Sequence, residues 1–142
     1  MYQDQIAKAE ITTNASIEKV WDALVNPAAI KQYMFGTNAV SSWLAGSSIV
    51  WKGDWKGVSY EDKGLILQFI PGRLLQYSHF SPLSGFPDTP DNYHTVTITL
   101  STEKSLTRVA LTQDNNPTDL DREHSEQNWE MMLAGLKNFL EK

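Results

Sequence analysis

The C-terminal stretch, residues 118–142, constrains the fold of this chain more than any other part. Leu120, Trp129, Met132, Leu133, Leu136, Phe139 and Leu140 fall on one stripe of a 3.6-residue helix. Asn116 or Thr118 can cap its start, Pro117 suits a first-turn position, and Asp119, Asp121 and Glu123 place negative charge where the helix dipole favours it. About 24 residues at 1.5 Å each make a rod of roughly 36 Å. A ten-residue strand spans roughly 33 Å, and everything between Asn38 and that rod reads as strands. A rod as long as the sheet, laid across a curved antiparallel sheet, leaves a space between the two. That space is where function is to be sought.

The other elements follow from periodicity and turn chemistry. Residues 6–13 alternate as a first strand. Asn14 or Ser16 caps a helix carrying Ile17, Val20, Trp21, Leu24 and Val25, and Asn26-Pro27 ends it. Pro27 opens a short second helix that stops at Gly36. Strands are expected over 38–42 and 47–52, a loop over 53–57, and a long strand over 58–70 bent near Gly64. After the Pro71-Gly72 turn a strand covers 74–80. Residues 81–92, with three prolines and a glycine, form a lip or a mobile loop. Residues 93–101 and 106–115 make a hairpin around a four-residue loop. The order is strand, two helices, about six strands, long helix.

Register brings a polar cluster together. With Ser101 opposite Leu106, His94 pairs with Gln113, Val96 with Leu111, and Ile98 with Val109. The aliphatic residues mark that face as the inner one. Leu75, Tyr77 and His79 share the inner face of the preceding strand, so His79 comes near His94. His124, one or two turns into the long helix, lies at the same end or on its solvent edge. This cluster is either a site for a ligand's polar group or a proton-transfer pair, or else a set of locally bonded side chains. Three histidines could hold zinc in principle, but no His-x-His or His-x-x-x-His spacing is present, so no metal site is expected.

Composition excludes several classes. The net charge is −5 without a basic cluster, which argues against nucleic acid and anionic membranes. The absence of cysteine removes disulfides, thiolate nucleophiles and Cys-ligated metals, and fits a reducing cytoplasm. No run is long enough to insert in a bilayer, and the first ten residues lack a signal pattern. The expectation is one cytoplasmic domain over residues 1–142. Its 41% apolar content is enough for a core, and five Trp, five Tyr and five Phe permit an aromatic-lined pocket.

Trp51 shares a strand face with Ile49 and is either cavity wall or core. Trp129 faces the space that its helix roofs. Trp55 sits in a turn, as a lip or contact point if exposed. Tyr33 and Phe35, after the short helix, lie at the gap between helix and sheet, where a phenol can orient a ligand. Glu61 and Asp62 are adjacent in a strand, face opposite ways, and cannot form a carboxylate pair. No phosphate loop, nucleophile motif or zinc-hydrolase helix is present, so no cofactor is expected and binding is preferred to catalysis.

The element order and the local sequence resemble the START-like (SRPBCC) superfamily. The nearest likeness is to the family of the C-terminal domain of the ninety-kilodalton heat-shock protein ATPase activator. The residues that carry it are 20–24 (VWDAL), Trp43 through Gly46-Ser47 to Trp51, Lys63-Gly64-Leu65 to Pro71, 73–78 (RLLQYS), 107–113 (TRVALTQ), and Trp129, Leu133, Leu136-Lys137 and Leu140-Glu141. Each is weak alone; their order and spacing cover nearly the whole chain. The resemblance implies an α+β helix-grip fold: an antiparallel sheet of about six or seven strands wrapped on a long C-terminal helix, with two short helices after the first strand. It also implies binding of a hydrophobic or amphipathic small molecule. Tyr33, Trp51, Tyr77, His79, His94, Gln113 and Trp129 are the ligand-binding candidates. The alternatives are a chaperone-cofactor-like module with a protein partner, and a cyclase- or hydrolase-like enzyme using a cavity histidine.

Overall fold

The computed structural model describes residues 5–142, apart from the side chain of Trp55, so the expectation for that tryptophan lies outside what is described. The elements are β1 (Ala7–Thr13), α1 (Ile17–Val25), α2 (Pro27–Tyr33), β2 (Asn38–Ser41), β3 (Ser48–Trp55), β4 (Val58–Ile70), β5 (Leu74–His79), β6 (His94–Glu103), β7 (Leu106–Gln113) and α3 (Asp119–Leu140). The strands form one sheet in the order β1-β7-β6-β5-β4-β3-β2, antiparallel at every pairing. Helices α1 and α2 carry the chain from one edge strand to the other. Helix α3 brings it back to β1. This is the expected α+β helix-grip architecture.

Local chemistry sets the helix ends. Ser16 caps α1 by accepting the Lys19 N–H, and Thr118 caps α3 by accepting the Asp121 N–H. Asn26 closes α1 and caps α2, with Pro27 in the first turn. Asn116, the other expected cap of α3, is instead buried in a side-chain network. Helix α3 buries Met132, Leu133 and Leu136 against the sheet, while Leu120, expected on the same stripe, is 60% exposed in the first turn. Strand β1 is an edge whose outward N–H groups need acceptors. Helix α3 supplies them: Glu126 accepts from the Lys8 N–H at 3.0 Å, and Glu141 from the Asn14 N–H at 3.3 Å.

Two expectations about strand length are corrected. Residues 53–57 are not a loop. Strand β3 runs on to Trp55 and turns through Lys56 and Gly57, both at positive φ, as a two-residue hairpin turn requires. Gly53 stays in the strand because its cross-strand partner Tyr60 lies over it; a Cβ there would come within 2.5 Å of the Tyr60 hydroxyl. The β6–β7 hairpin is tighter than expected. Glu103 pairs with Leu106 around Lys104, which takes a positive φ, so Val96 rather than His94 lies opposite Gln113. The shift is even, so each side chain keeps its face.

Segment 81–92 is pinned. Short 3₁₀ turns occupy Pro82–Ser84 and Pro90–Asn92. The Tyr93 hydroxyl donates to Asp88, Lys63 pairs with Asp88, and Asn115 donates to the carbonyls of Asp91 and Tyr93.

Candidate ligand cleft

The core beneath α3 is solid at Leu133 and Leu136 and opens toward the first half of the helix. There an open cleft of about 540 Å³ lies between α3, the segment after α2, and strands β3, β4 and β5. Trp51, Tyr77 and Trp129 supply aromatic walls, and Phe35, Leu83 and Met131 stand at the mouth. The ring of Trp51 packs on Tyr77 at 5.0 Å and edge-on to His79 at 5.1 Å.

Pairing across the sheet builds the polar floor. Trp51 lies opposite Asp62, and His79 opposite His94, so four neighbouring strands contribute one row of inward side chains. Asp62 Oδ2 is 2.9 Å from His79 Nε2. A carboxylate only accepts, so His79 carries a proton on Nε2, and in the neutral ring Nδ1 is the acceptor. The other oxygen, Asp62 Oδ1, is buried without a hydrogen-bond partner. His94 Nδ1 lies 2.9 Å from the Asp114 carbonyl, which also only accepts, so this ring is bare at Nε2. Burial lowers the His94 pKa below its ordinary 6.5; the Asp114 carbonyl opposes the shift and His79 adds to it. A bare imidazole nitrogen beside a carboxylate-held N–H can accept a hydrogen bond or a proton from a bound molecule.

The seven candidates separate into groups. Trp51, Tyr77, His79 and Trp129 line the cleft. His94 and Gln113 line an adjoining recess with His79 and Trp129. The amide of Gln113 is committed: Oε1 accepts the Trp129 indole N–H, and Nε2 donates to Asn116 and Ser125. Tyr33 sits behind the site, its hydroxyl donating to the Ala23 carbonyl at 2.8 Å, and it is not among the residues around the cleft. His124 is exposed, on an outer groove with His94. Among the described residues no three or more metal-ligating side chains converge.

Asp62 is the residue that sequence reasoning missed. Its adjacency to Glu61 excludes a carboxylate pair but leaves its cross-strand neighbours open. The signal was the alternation Tyr60, Asp62, Gly64, Ile66, which puts the carboxylate on the same face as Trp51 and His79.

Residues 14–141 match the family model described as Activator of Hsp90 ATPase homolog 1-like protein. The chain belongs to this family. The solution structure of ChR145 from Cytophaga hutchinsonii, at 63% identity, covers 96% of this chain and 93% of its own with a TM-score of 0.84. The Aha1 dimer from Colwellia psychrerythraea is 23% identical, covers 96% of each chain, and has a TM-score of 0.74. DynU16, titled a putative protein in the dynemicin biosynthetic locus, is 16% identical; 98% of this chain aligns with 48% of it at a TM-score of 0.81. The last two likenesses show the fold. A search of curated proteins gives no match. Among the described residues, no helix is long and apolar enough to cross a membrane.

Proposed function

We propose that the protein binds an apolar or amphipathic small molecule in the cleft under the first half of α3. The observation that carries this reading is the contrast along that helix. The core is filled at Leu133 and Leu136, and opens between Trp51, Tyr77 and Trp129 onto a floor with one carboxylate. Removing about 200 Å² of aromatic ligand surface from water, at about 25 cal/mol per Å², is worth about 5 kcal/mol before the cost of association. His79 orients the ligand's polar end. The family's helix-grip fold is compatible with this use.

Native mass spectrometry of the freshly purified protein tests the proposal, with Nile red fluorescence as a second readout. A co-purifying small molecule, or dye binding weakened by Trp129→Leu, is the expected result. A bare protein that leaves the dye dark overturns it. A second reading, contact with a protein partner, draws on Phe35 at 55%, Leu83 at 61% and Met131 at 54% exposure around the mouth. Under that reading Phe35→Ser and Met131→Ser abolish complex formation while dye binding persists.

A further inference from the structure

We infer that the cleft selects a ligand whose polar end donates hydrogen bonds, an amine or a hydroxyl, and rejects a carboxylate or phosphate. This rests on the binding role proposed above. The argument starts from charge. Of the described residues that line the cleft and its adjoining recess, Asp62 alone carries a formal charge, and none is Lys or Arg. An anionic head group brought here would lose its hydration and find no Lys or Arg opposite.

Hydrogen-bond capacity points the same way. His79 spends its one N–H on Asp62, and His94 spends its own on the Asp114 carbonyl. In its neutral form each ring therefore has only an acceptor nitrogen left. The lowered pKa of His94 keeps that ring neutral at physiological pH. Asp62 adds a carboxylate that is half-satisfied, its Oδ1 buried without a donor. Such a group costs free energy until a donor arrives. The donors at the rim are also committed in part: Tyr60 and Thr37 bond to each other, and the Trp129 indole N–H goes to Gln113. Donors remain at Tyr77, Ser81 and Asn128, so the preference rests on the Asp62 charge and on the lack of Lys or Arg among the described lining residues. Trp51, Tyr77 and Trp129 line the cleft, and an aromatic face within reach of a cationic head favours it over a neutral one.

Three probes of one shape test this: naphthylmethylamine, naphthylmethanol and naphthoate, titrated into the wild-type chain and into Asp62→Asn. Binding is followed by the indole N–H resonances of Trp51 and Trp129, with affinities from calorimetry. The expected result is that the amine binds about tenfold or more tightly than naphthoate, with the alcohol between or equal to the amine. In Asp62→Asn the amine weakens by about tenfold and naphthoate gains. An amine that outbinds the alcohol supports selection by the Asp62 charge; equal binding supports selection by hydrogen-bond donation. Naphthoate binding the wild type as tightly as the amine overturns the inference and leaves the binding role intact. So does an amine-to-acid ratio unchanged in the variant. If none of the three moves the cleft resonances, the binding role itself fails. The wild-type ranking decides the matter even if the variant is unstable.

Discussion

The rings of His79 and His94 lie stacked across β5 and β6, centroids 6.2 Å apart and planes 27° apart, each held by an acceptor: Asp62 for one and the Asp114 carbonyl for the other. Two imidazoles this close disfavour a second positive charge, and for His94 burial disfavours it more.

A pH dependence follows from His94. Its folded pKa lies below the ordinary 6.5, so just under that value the unfolded chain binds more protons than the native one. Stability therefore rises with pH in this window. The contribution is fully present above 6.5 and is lost as pH falls toward the folded pKa. NMR titration should place the His94 midpoint under 6.5, and the thermal midpoint should drop on acidification through that range. His94→Asn keeps a side-chain donor for the Asp114 carbonyl and should flatten the slope. A midpoint above 6.5 would refute the assignment.

Gln113 is a structural residue by its bonds. Its amide serves the Trp129 indole on one side and Asn116 and Ser125 on the other, at a site only 8% exposed. Gln113→Leu strands several of these groups and should cost about 1–3 kcal/mol in urea unfolding. Trp129→Phe removes one bond of the same network and should cost less through that bond. The double variant should fall short of the sum, since the two share an interaction.

Much of the fold was legible because its signals are periodic. The α3 stripe, the α1 stripe and the alternation on β5 and β6 each give a face without knowledge of the partner. What stayed hidden depended on a second strand. Gly53 reads as a turn residue until Tyr60 is seen lying over it. Lys104 carries no sign of the positive φ that tightens its hairpin, since turn signals there are normally Gly or Asn. Cross-strand geometry likewise joined Asp62 to His79, although both inner faces could be read separately. Tyr33 shows the opposite failure: a polar aromatic near the gap looks like a lining residue until its hydroxyl is found bonded to Ala23.

Gly64 tests the close approach of β4 and β5. A Cβ at this position would lie 1.7 Å from the Ser78 carbonyl oxygen, a backbone atom fixed in the sheet. Gly64→Ala must therefore part the strands, and a loss of about 3 kcal/mol or more is expected. Gly85→Ala is the control. Open space surrounds that position and only its left-handed φ of +85° is strained, so about 1–2 kcal/mol is expected. Equal thermal midpoints for the two variants would contradict the strand contact.

Tyr33 distinguishes a supporting role from a binding one. Its hydroxyl donates to the Ala23 carbonyl, its ring lies 6.2 Å from that of Phe139, and the residue is 6% exposed. Burial holds its phenol pKa well above the ordinary 10, with Tyr77 adding to the effect. The folded state thus favours the neutral phenol, and stability present below pH 10 is lost as pH rises past it. Tyr33→Phe leaves the Ala23 carbonyl without that donor and should cost about 1–2 kcal/mol in urea unfolding. The same variant should lose part of the alkaline destabilisation and leave Nile red affinity unchanged. A fall in dye affinity with stability intact would return Tyr33 to the cleft.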